Sequence, residues 1–151
     1  MRVFLSYTYT DQEFAHRLGA LLEARRVRCF LGKSDLAAGE PLWNGLRNAI
    51  EAADALVLVL SPESAQDQRL LFEAGVAAAA HRPIVSVRLP VGEGTDAVRL
   101  MEQAAEEDSR FVVDGGPLEE LATRVGKRVR TLRAAHTDPW WRRLLGRVSP
   151  S

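Results

Sequence analysis

Cysteine is almost missing from this sequence, and its scarcity excludes two ways of stabilising a fold. Cys29 is the only cysteine among 151 residues. A single thiol cannot form a disulfide framework or a cysteine-based zinc site within one chain. The three histidines, His16, His81 and His136, are widely spaced, and none has a second histidine or acid at the spacing of zinc ligands. We therefore expect no metal, and a reducing, cytoplasmic setting fits this composition best.

Long apolar runs and phosphate-binding loops are also missing. The N-terminus passes from Met1 and Arg2 directly into a short β-like run, so we expect neither a signal peptide nor a membrane span. The sequence has no Gly-x-Ser-x-Gly elbow after a strand, no Walker loop, no Gly-x-Gly-x-x-Gly and no acidic cluster of the receiver type. These absences argue against α/β-hydrolase, nucleoside triphosphatase and Rossmann interpretations.

The residues that are present are typical of one globular domain with an uneven charge distribution. Hydrophobic residues make up 46% and charged residues 26%, and the net charge is zero. Positive charge gathers near the C-terminus, at Arg124, Lys127, Arg128, Arg130, Arg133, Arg142, Arg143 and Arg147. The opposite face of the same segment is apolar, at Leu121, Ala122, Val125, Val129 and Leu132. This is the pattern of a solvated amphipathic helix, so we expect no nucleic-acid binding.

Short apolar runs alternate with segments of helical period along the chain. The runs predict strands over residues 3–5, 27–31, 55–60, 83–89 and 110–113. The helical segments cover residues 10–22, 42–53, 63–80 and 96–107 and continue from residue 117. Thr10 and Glu13 form a capping-box pattern at the first helix. The alternation predicts an α/β fold, a flavodoxin-like three-layer sandwich with a five-stranded parallel sheet of order 2-1-3-4-5 and helices on both faces.

The last part of the chain is expected to be separate from this sheet. We assign residues 1–135 to the domain and residues 136–151 to a short C-terminal helix or linker. Asp138-Pro139 resembles a helix cap, and the next residues form one apolar face. Docking on the body, seeding of an oligomer, contact with a membrane surface and the start of a further domain all remain open for this segment.

The predicted topology singles out two loops for a site. In a sheet of this order, ligands bind beyond the carboxyl ends of strands one and three, where the winding direction reverses. The first strand brings Ser6, Tyr7 and Thr8 to that edge, and the third brings Ser61 and the helix that carries Glu73. We therefore expect these side chains to lie close together.

Glu73 is the unusual residue of its helix. It is a carboxylate between Leu70-Leu71-Phe72 and Ala74-Gly75-Val76, where most neighbours are apolar and small ones leave space beside it. Arg69 lies four residues earlier and is able to pair with Glu73 on a solvated helix face. On these residues alone, a functional carboxylate and a surface ion pair are equally good interpretations.

Five short motifs in order suggest a family. They are Val3-Phe4-Leu5-Ser6-Tyr7 followed by Asp11, Phe30 with Asp35-Leu36 and Gly39, Trp43 with Ala49-Ile50, Val57-Leu58-Val59-Leu60-Ser61, and Phe72-Glu73-Ala74-Gly75. With these motifs the sequence resembles the Toll/interleukin-1 receptor (TIR) family, bacterial type, from about Met1 to Val113. The order and spacing of the motifs agree with the strands and helices predicted independently.

The resemblance implies an enzyme that cleaves the bond between nicotinamide and ribose in NAD⁺, which is then the substrate rather than a cofactor. Glu73 would be the catalytic glutamate, because a carboxylate stabilises the oxocarbenium-like ribose left by departing nicotinamide. The implied substrate-binding residues are Ser6, Tyr7, Thr8, Asp35, Gly39, Trp43, Ser61 and Arg69. For Trp43 and Gly39 a purely structural role, as a helix anchor and a turn, stays open.

Two positions depart from the family pattern and keep a second function open. Arg69 stands where the family often has tryptophan, and Gly32 stands where it often has an acid that Asp35 would replace. The cation at position 69 would either sequester Glu73 or contact a substrate phosphate. The alternative function is a non-catalytic module that binds a second TIR domain. In either case the resemblance implies a role in immunity and self-association, and it leaves hydrolysis, cyclisation and transfer undecided.

Overall fold

The computed structural model describes residues 1–32, 42–90 and 96–137. These residues contain five parallel strands: β1 (Arg2–Ser6), β2 (Arg28–Phe30), β3 (Ala55–Leu60), β4 (Ile84–Arg88) and β5 (Arg110–Val112). The strands form one sheet in the order β2-β1-β3-β4-β5. The predicted flavodoxin-like α/β fold is confirmed, and every strand lies within one residue or two of its predicted range.

In the part of the chain that the structure describes, five α-helices connect and cover the strands. They are α1 (Gln12–Glu23), α2 (Leu42–Ala52), α3 (Gln68–Ala79), α4 (Asp96–Glu102) and α5 (Leu118–Thr137). Within the described ranges, short 3-10 helices lie at Tyr9–Asp11, Pro62–Gln66 and Glu107–Ser109. Two predicted helices were wrong in extent, because residues 63–80 are divided at Asp67 and residues 96–107 are not continuous beyond Glu102.

The start of α3 is fixed by Asp67. Its backbone is extended, and its side chain accepts hydrogen bonds from the backbone N–H groups of Arg69 and Leu70. This N-cap satisfies donors that the first turn of a helix leaves unpaired, so α3 begins here rather than at residue 63. The predicted capping box of α1 is also wrong. Asp11 occupies the N-cap position without a capping side-chain bond, and the Thr10 hydroxyl pairs with that of Thr8.

The side-chain alternation of the strands divides the core between the two faces of the sheet. All six residues of β3 are buried, which confirms the prediction drawn from its continuous apolar run. Val57 and Val59 belong to the core under α1 and α5. Leu56 and Leu58 belong to the core under α2, α3 and α4. A period-2 alternation therefore decides which helix each strand residue contacts.

The register of the sheet sets the position of the site. Ser6, the last residue of β1, pairs with Leu58 of β3. Helix α1 follows β1 and α3 follows β3 after its 3-10 turn, so both helices begin at the carboxyl edge of the sheet. Gly19 allows α1 to approach the end of β2, since a Cβ there would lie 3.2 Å from a methyl carbon of Leu31.

Some predictions lie outside the described residues. Asp35, Gly39 and the segment 138–151 belong to this group, so their predicted roles stay predictions. Over the ranges that are described, no helix is long and apolar enough to cross a membrane.

Candidate active site

A cavity of about 280 Å³ lies at the carboxyl ends of β1 and β2. Gln12 and His16 line it from α1, and Arg69 and Glu73 line it from α3. The remaining lining residues come from the ends of the two strands and the loop after β1: Leu5, Tyr7, Tyr9, Leu31 and Gly32. This is the edge at which the strand order predicts a ligand.

A second cavity, of about 360 Å³, lies at the opposite edge of the sheet, beside the start of β4. Its lining includes Arg82, Ser109 and Glu106, and the Glu106 side chain is 80% exposed. The smaller cavity at the switch point is the better candidate for chemistry, because its carboxylate is buried and directed by neighbours.

Glu73 is buried, with 2% of its surface exposed. Its Oε2 accepts a hydrogen bond from the Ser6 hydroxyl at the end of β1. Its Oε1 lies 3.7 Å from Nε of Arg69, so the ion pair foreseen from the sequence does form. The interpretation of a solvated surface pair is nevertheless wrong, because the helix turns Glu73 toward the sheet and out of water.

Burial changes the acidity of this carboxyl group. Desolvation raises the pKa of Glu73 from 4.5 to about 7, although the Ser6 hydrogen bond and the positive charge of Arg69 each lower it. The negative charge of Asp67 raises it further. Glu73 therefore changes its charge near neutral pH, as residues at catalytic sites commonly do.

Arg69 connects Glu73 to the loop after β1. Its NH2 group donates a hydrogen bond of 3.0 Å to the backbone carbonyl of Tyr7, and its side chain is 31% exposed. The guanidinium thus forms part of the cavity wall while it remains in contact with solvent. This position places a permanent positive charge beside the buried carboxyl group.

Tyr7 and His16 form another part of the cavity wall. The Tyr7 hydroxyl donates a hydrogen bond of 3.0 Å to the Leu31 carbonyl and lies 3.0 Å from Nε2 of His16. Because a hydroxyl has one proton, which here goes to Leu31, Nε2 of His16 is the donor in that contact. His16 is an exposed residue that also lines the cavity, a place that was not predicted for it. The signal was its position on the first helix after β1, one turn beyond Gln12.

Thr8 and Ser61 lie in a separate buried cluster around Asp11. Oδ2 of Asp11 accepts hydrogen bonds from the Thr8 hydroxyl at 3.0 Å and from the Ser61 hydroxyl at 2.5 Å. These bonds tie the loop after β1 to the end of β3. Among the described residues, the cavity is lined by neither Thr8 nor Ser61. The motif at Asp11 was noticed in the sequence, but its role as a clamp between two loops was not.

Trp43 contacts the neighbouring helix. Its ring packs edge to face on Phe72, with 4.6 Å between the ring centroids, and 49% of the residue is exposed. This contact joins α2 to α3 one residue before Glu73.

Gly32 lines the cavity with a φ of 72°, in the left-handed region that favours glycine. The backbone at this position therefore suits glycine better than the acid common in the resembled family.

A model of the TIR domain family matches residues 3–111, and the chain belongs to this family. The class of protein that the fold and the site define is therefore a TIR domain. No curated protein matches the sequence.

Solved structures with the same fold come from proteins of several kinds. A CMP N-glycosidase, BcmB, from Clostridium botulinum is 14% identical, with 83% of this chain and 98% of that chain covered and a TM-score of 0.55. The TIR domains of the activated Roq1 resistosome are 19% identical, with 88% and 83% covered and a TM-score of 0.55. A diflavin flavoprotein from Nostoc sp. is 18% identical, with 90% and 96% covered and a TM-score of 0.56. At these identities the likeness concerns the fold.

Proposed function

We propose that this TIR domain is an N-glycosidase that cleaves the nicotinamide–ribose bond of NAD⁺, with Glu73 as the catalytic residue. One observation carries the proposal. Glu73 is a buried carboxylate that lines a cavity at the switch point of the sheet and is oriented by the hydroxyl of Ser6. Burial disfavours the charged form of a carboxyl group and so lowers the stability of the fold. A role in catalysis or binding accounts for such a group at this position.

The chemistry of the bond suits a single carboxylate. When the C1′–N bond breaks, its electron pair stays with the nicotinamide nitrogen, so the pyridinium cation becomes a neutral leaving group and needs no proton. The positive charge that develops on the ribose is stabilised by the Glu73 carboxylate. A water oxygen then bonds to C1′ and releases its proton, which completes hydrolysis. If a nitrogen of the adenine in the same molecule attacks instead, the product is cyclic.

The relatives support the class of reaction and the setting. The structure from Clostridium botulinum belongs to an enzyme that cleaves an N-glycosidic bond of a nucleotide. The Roq1 TIR domains belong to an assembled resistosome that recognises a pathogen effector. We extend both properties to this chain as parts of the proposal. The chain would cleave an N-glycosidic bond, and it would do so in an assembled form with a role in immunity.

The experiment is NAD⁺ consumption by the purified chain at high protein concentration, with the products separated by chromatography. Glu73→Gln keeps the size of the side chain and removes its charge. Glu51→Gln makes the same change at an exposed position of α2 and serves as the control. We expect nicotinamide release from the wild type and Glu51→Gln and none from Glu73→Gln. Equal turnover by Glu73→Gln and the wild type would overturn the role of Glu73.

The second candidate function is a non-catalytic module for binding another TIR domain. The ion pair with Arg69 favours it, because Glu73 held in this way has a structural task. Sedimentation at increasing protein concentration separates the two. A scaffold would self-associate without releasing nicotinamide at any concentration, whereas the enzyme proposed here would gain specific activity as it assembles.

A further inference from the structure

We infer that Arg69 binds the phosphate on the 5′ oxygen of the ribose whose N-glycosidic bond is cleaved. The site therefore selects nucleotides over the corresponding nucleosides. This inference rests on the proposed function and specifies its substrate class. The ligand chemistry is an N-ribosyl compound with a phosphate group at the 5′ position, whether the phosphate ends the molecule or continues into a second nucleotide.

Arg69 has hydrogen-bond donors that the described residues do not occupy. A guanidinium has five N–H donors in one plane. Within the described ranges, the Arg69 side chain gives one hydrogen bond, from NH2 to the carbonyl of Tyr7, and its Nε lies 3.7 Å from Oε1 of Glu73. Among the described residues NH1 has no hydrogen-bond partner, so its donors can bind a ligand. The Tyr7 contact fixes the group in place, so little freedom is lost when a phosphate binds.

The charge of the cavity lining also favours a phosphate at Arg69. Among the described residues that line the cavity, Arg69 is the only arginine or lysine. A phosphate dianion beside the Glu73 carboxylate would be repelled unless a cation lay between or beside them. Arg69 is in that position, since it is one helical turn before Glu73 and on the same face of α3.

The size of the cavity also favours a nucleotide. The cavity of about 280 Å³ is at the lower end of the usual range for ligand sites, roughly 300–1,000 Å³. It suits the mononucleotide part of a larger molecule. Glu73 must face the anomeric carbon, and the 5′ phosphate is attached only a few bonds from that carbon. The phosphate then lies within reach of Arg69, whose Nε is 3.7 Å from the Glu73 carboxylate.

The test compares nicotinamide mononucleotide with nicotinamide riboside, which differ only in the phosphate. We expect kcat/KM of the wild type to be at least about tenfold higher for the mononucleotide than for the riboside. One hydrogen bond between charged groups is strong enough to produce a difference of this size. In Arg69→Gln this ratio should fall toward one. Arg47→Gln, the same change at an exposed position of α2, should keep the wild-type ratio. An unchanged ratio in Arg69→Gln would overturn the inference, as would a wild-type ratio near one.

Binding keeps this test separate from that of the proposed reaction. Calorimetry with Glu73→Gln, which retains Arg69, should give a lower Kd for the mononucleotide than for the riboside. The double variant Glu73→Gln, Arg69→Gln should bind both equally. If the wild type releases nicotinamide from none of NAD⁺, the mononucleotide and the riboside but this difference in binding holds, the proposed reaction fails and the phosphate site stands. Equal binding of the two compounds by Glu73→Gln would refute the phosphate site itself.

Discussion

The Ser6 hydroxyl donates a hydrogen bond to Oε2 of Glu73, a residue 67 positions later in the chain. The bond joins the last residue of β1 to the middle of α3, and both residues are buried. It orients one oxygen of the carboxyl group while Arg69 lies near the other. Since the two contacts act on the same group, they provide separate tests of how its charge is controlled.

The rate of the proposed reaction should rise with pH through about 7, because the pKa of Glu73 is raised to about 7 and the carboxylate is the active form. Arg69→Gln should move this midpoint to higher pH, since the positive charge of Arg69 lowers the pKa of Glu73. The measurement is kcat/KM for NAD⁺ across a pH series. A midpoint that moves to lower pH in Arg69→Gln would contradict the assignment.

Removal of the Ser6 hydroxyl should have a similar effect on the midpoint. Ser6→Ala removes a hydrogen bond that lowers the pKa of Glu73, so the profile should move to higher pH and kcat/KM at neutral pH should fall about tenfold. The control is Ser86→Ala on β4, where the buried hydroxyl has no hydrogen-bond partner among the described residues. This control should leave the profile unchanged. A shift of equal size in both variants would assign the effect to packing.

Glu73→Gln should make the protein more stable than the wild type above neutral pH. The pKa of Glu73 is higher in the folded state than its ordinary value of 4.5, so the folded protein retains a proton that the unfolded chain has lost. The stabilisation that this group provides is complete below about pH 4.5 and is lost as pH rises through about 7. At alkaline pH the difference in the free energy of unfolding between Glu73→Gln and the wild type approaches an upper limit on the order of 3 kcal/mol.

Urea unfolding of the wild type and Glu73→Gln at acidic and alkaline pH measures this difference directly. At each pH, the free energy of unfolding of the wild type is subtracted from that of Glu73→Gln. This difference removes the contributions of the other titrating groups. The advantage of Glu73→Gln should increase with pH. An advantage that decreases with pH would mean that the carboxylate is stabilised, rather than disfavoured, by its surroundings.

Asp11 should contribute to stability through the two loops that it joins. Asp11→Ala leaves the buried hydroxyls of Thr8 and Ser61 without this acceptor, which costs about 1–3 kcal/mol in the free energy of unfolding. Ser61→Ala should cost less in the Asp11→Ala background than in the wild type, with a coupling of about 1 kcal/mol. Urea unfolding of the two single variants and the double variant measures it. Strictly additive losses would exclude the clamp.

The placement of helices was less predictable than that of strands. The six apolar residues of β3 predicted their strand without error, because burial on both faces leaves no polar position in the run. Helix α3 was predicted to begin at residue 63 but begins five residues later, at Gln68. The competing signal was Asp67, which caps α3 by accepting two backbone N–H groups and thereby separates it from the 3-10 turn before it.

The location of the site and the importance of Glu73 were predictable from the sequence. The contacts among the side chains of the site were not. The strand order located the switch point, and the carboxylate of Glu73 was conspicuous in an apolar helix. Whether it faced solvent or the sheet could not be decided from spacing, because an Arg69–Glu73 pair at one helical turn occurs on either face. The grouping of Thr8 and Ser61 with Asp11 likewise depended on where two loops meet.

The sequence by itself determined the order of the elements, the parallel sheet and the family, because these depend on hydrophobic period, loop position and short motifs along the chain. The tertiary structure alone decided the burial of Glu73, its bond to Ser6 and the place of His16 in the cavity wall. These contacts join residues on different elements. Their existence depends on the register of β1 against β3 and on how closely α1 and α3 pack on the sheet, and neither quantity is encoded in any local pattern.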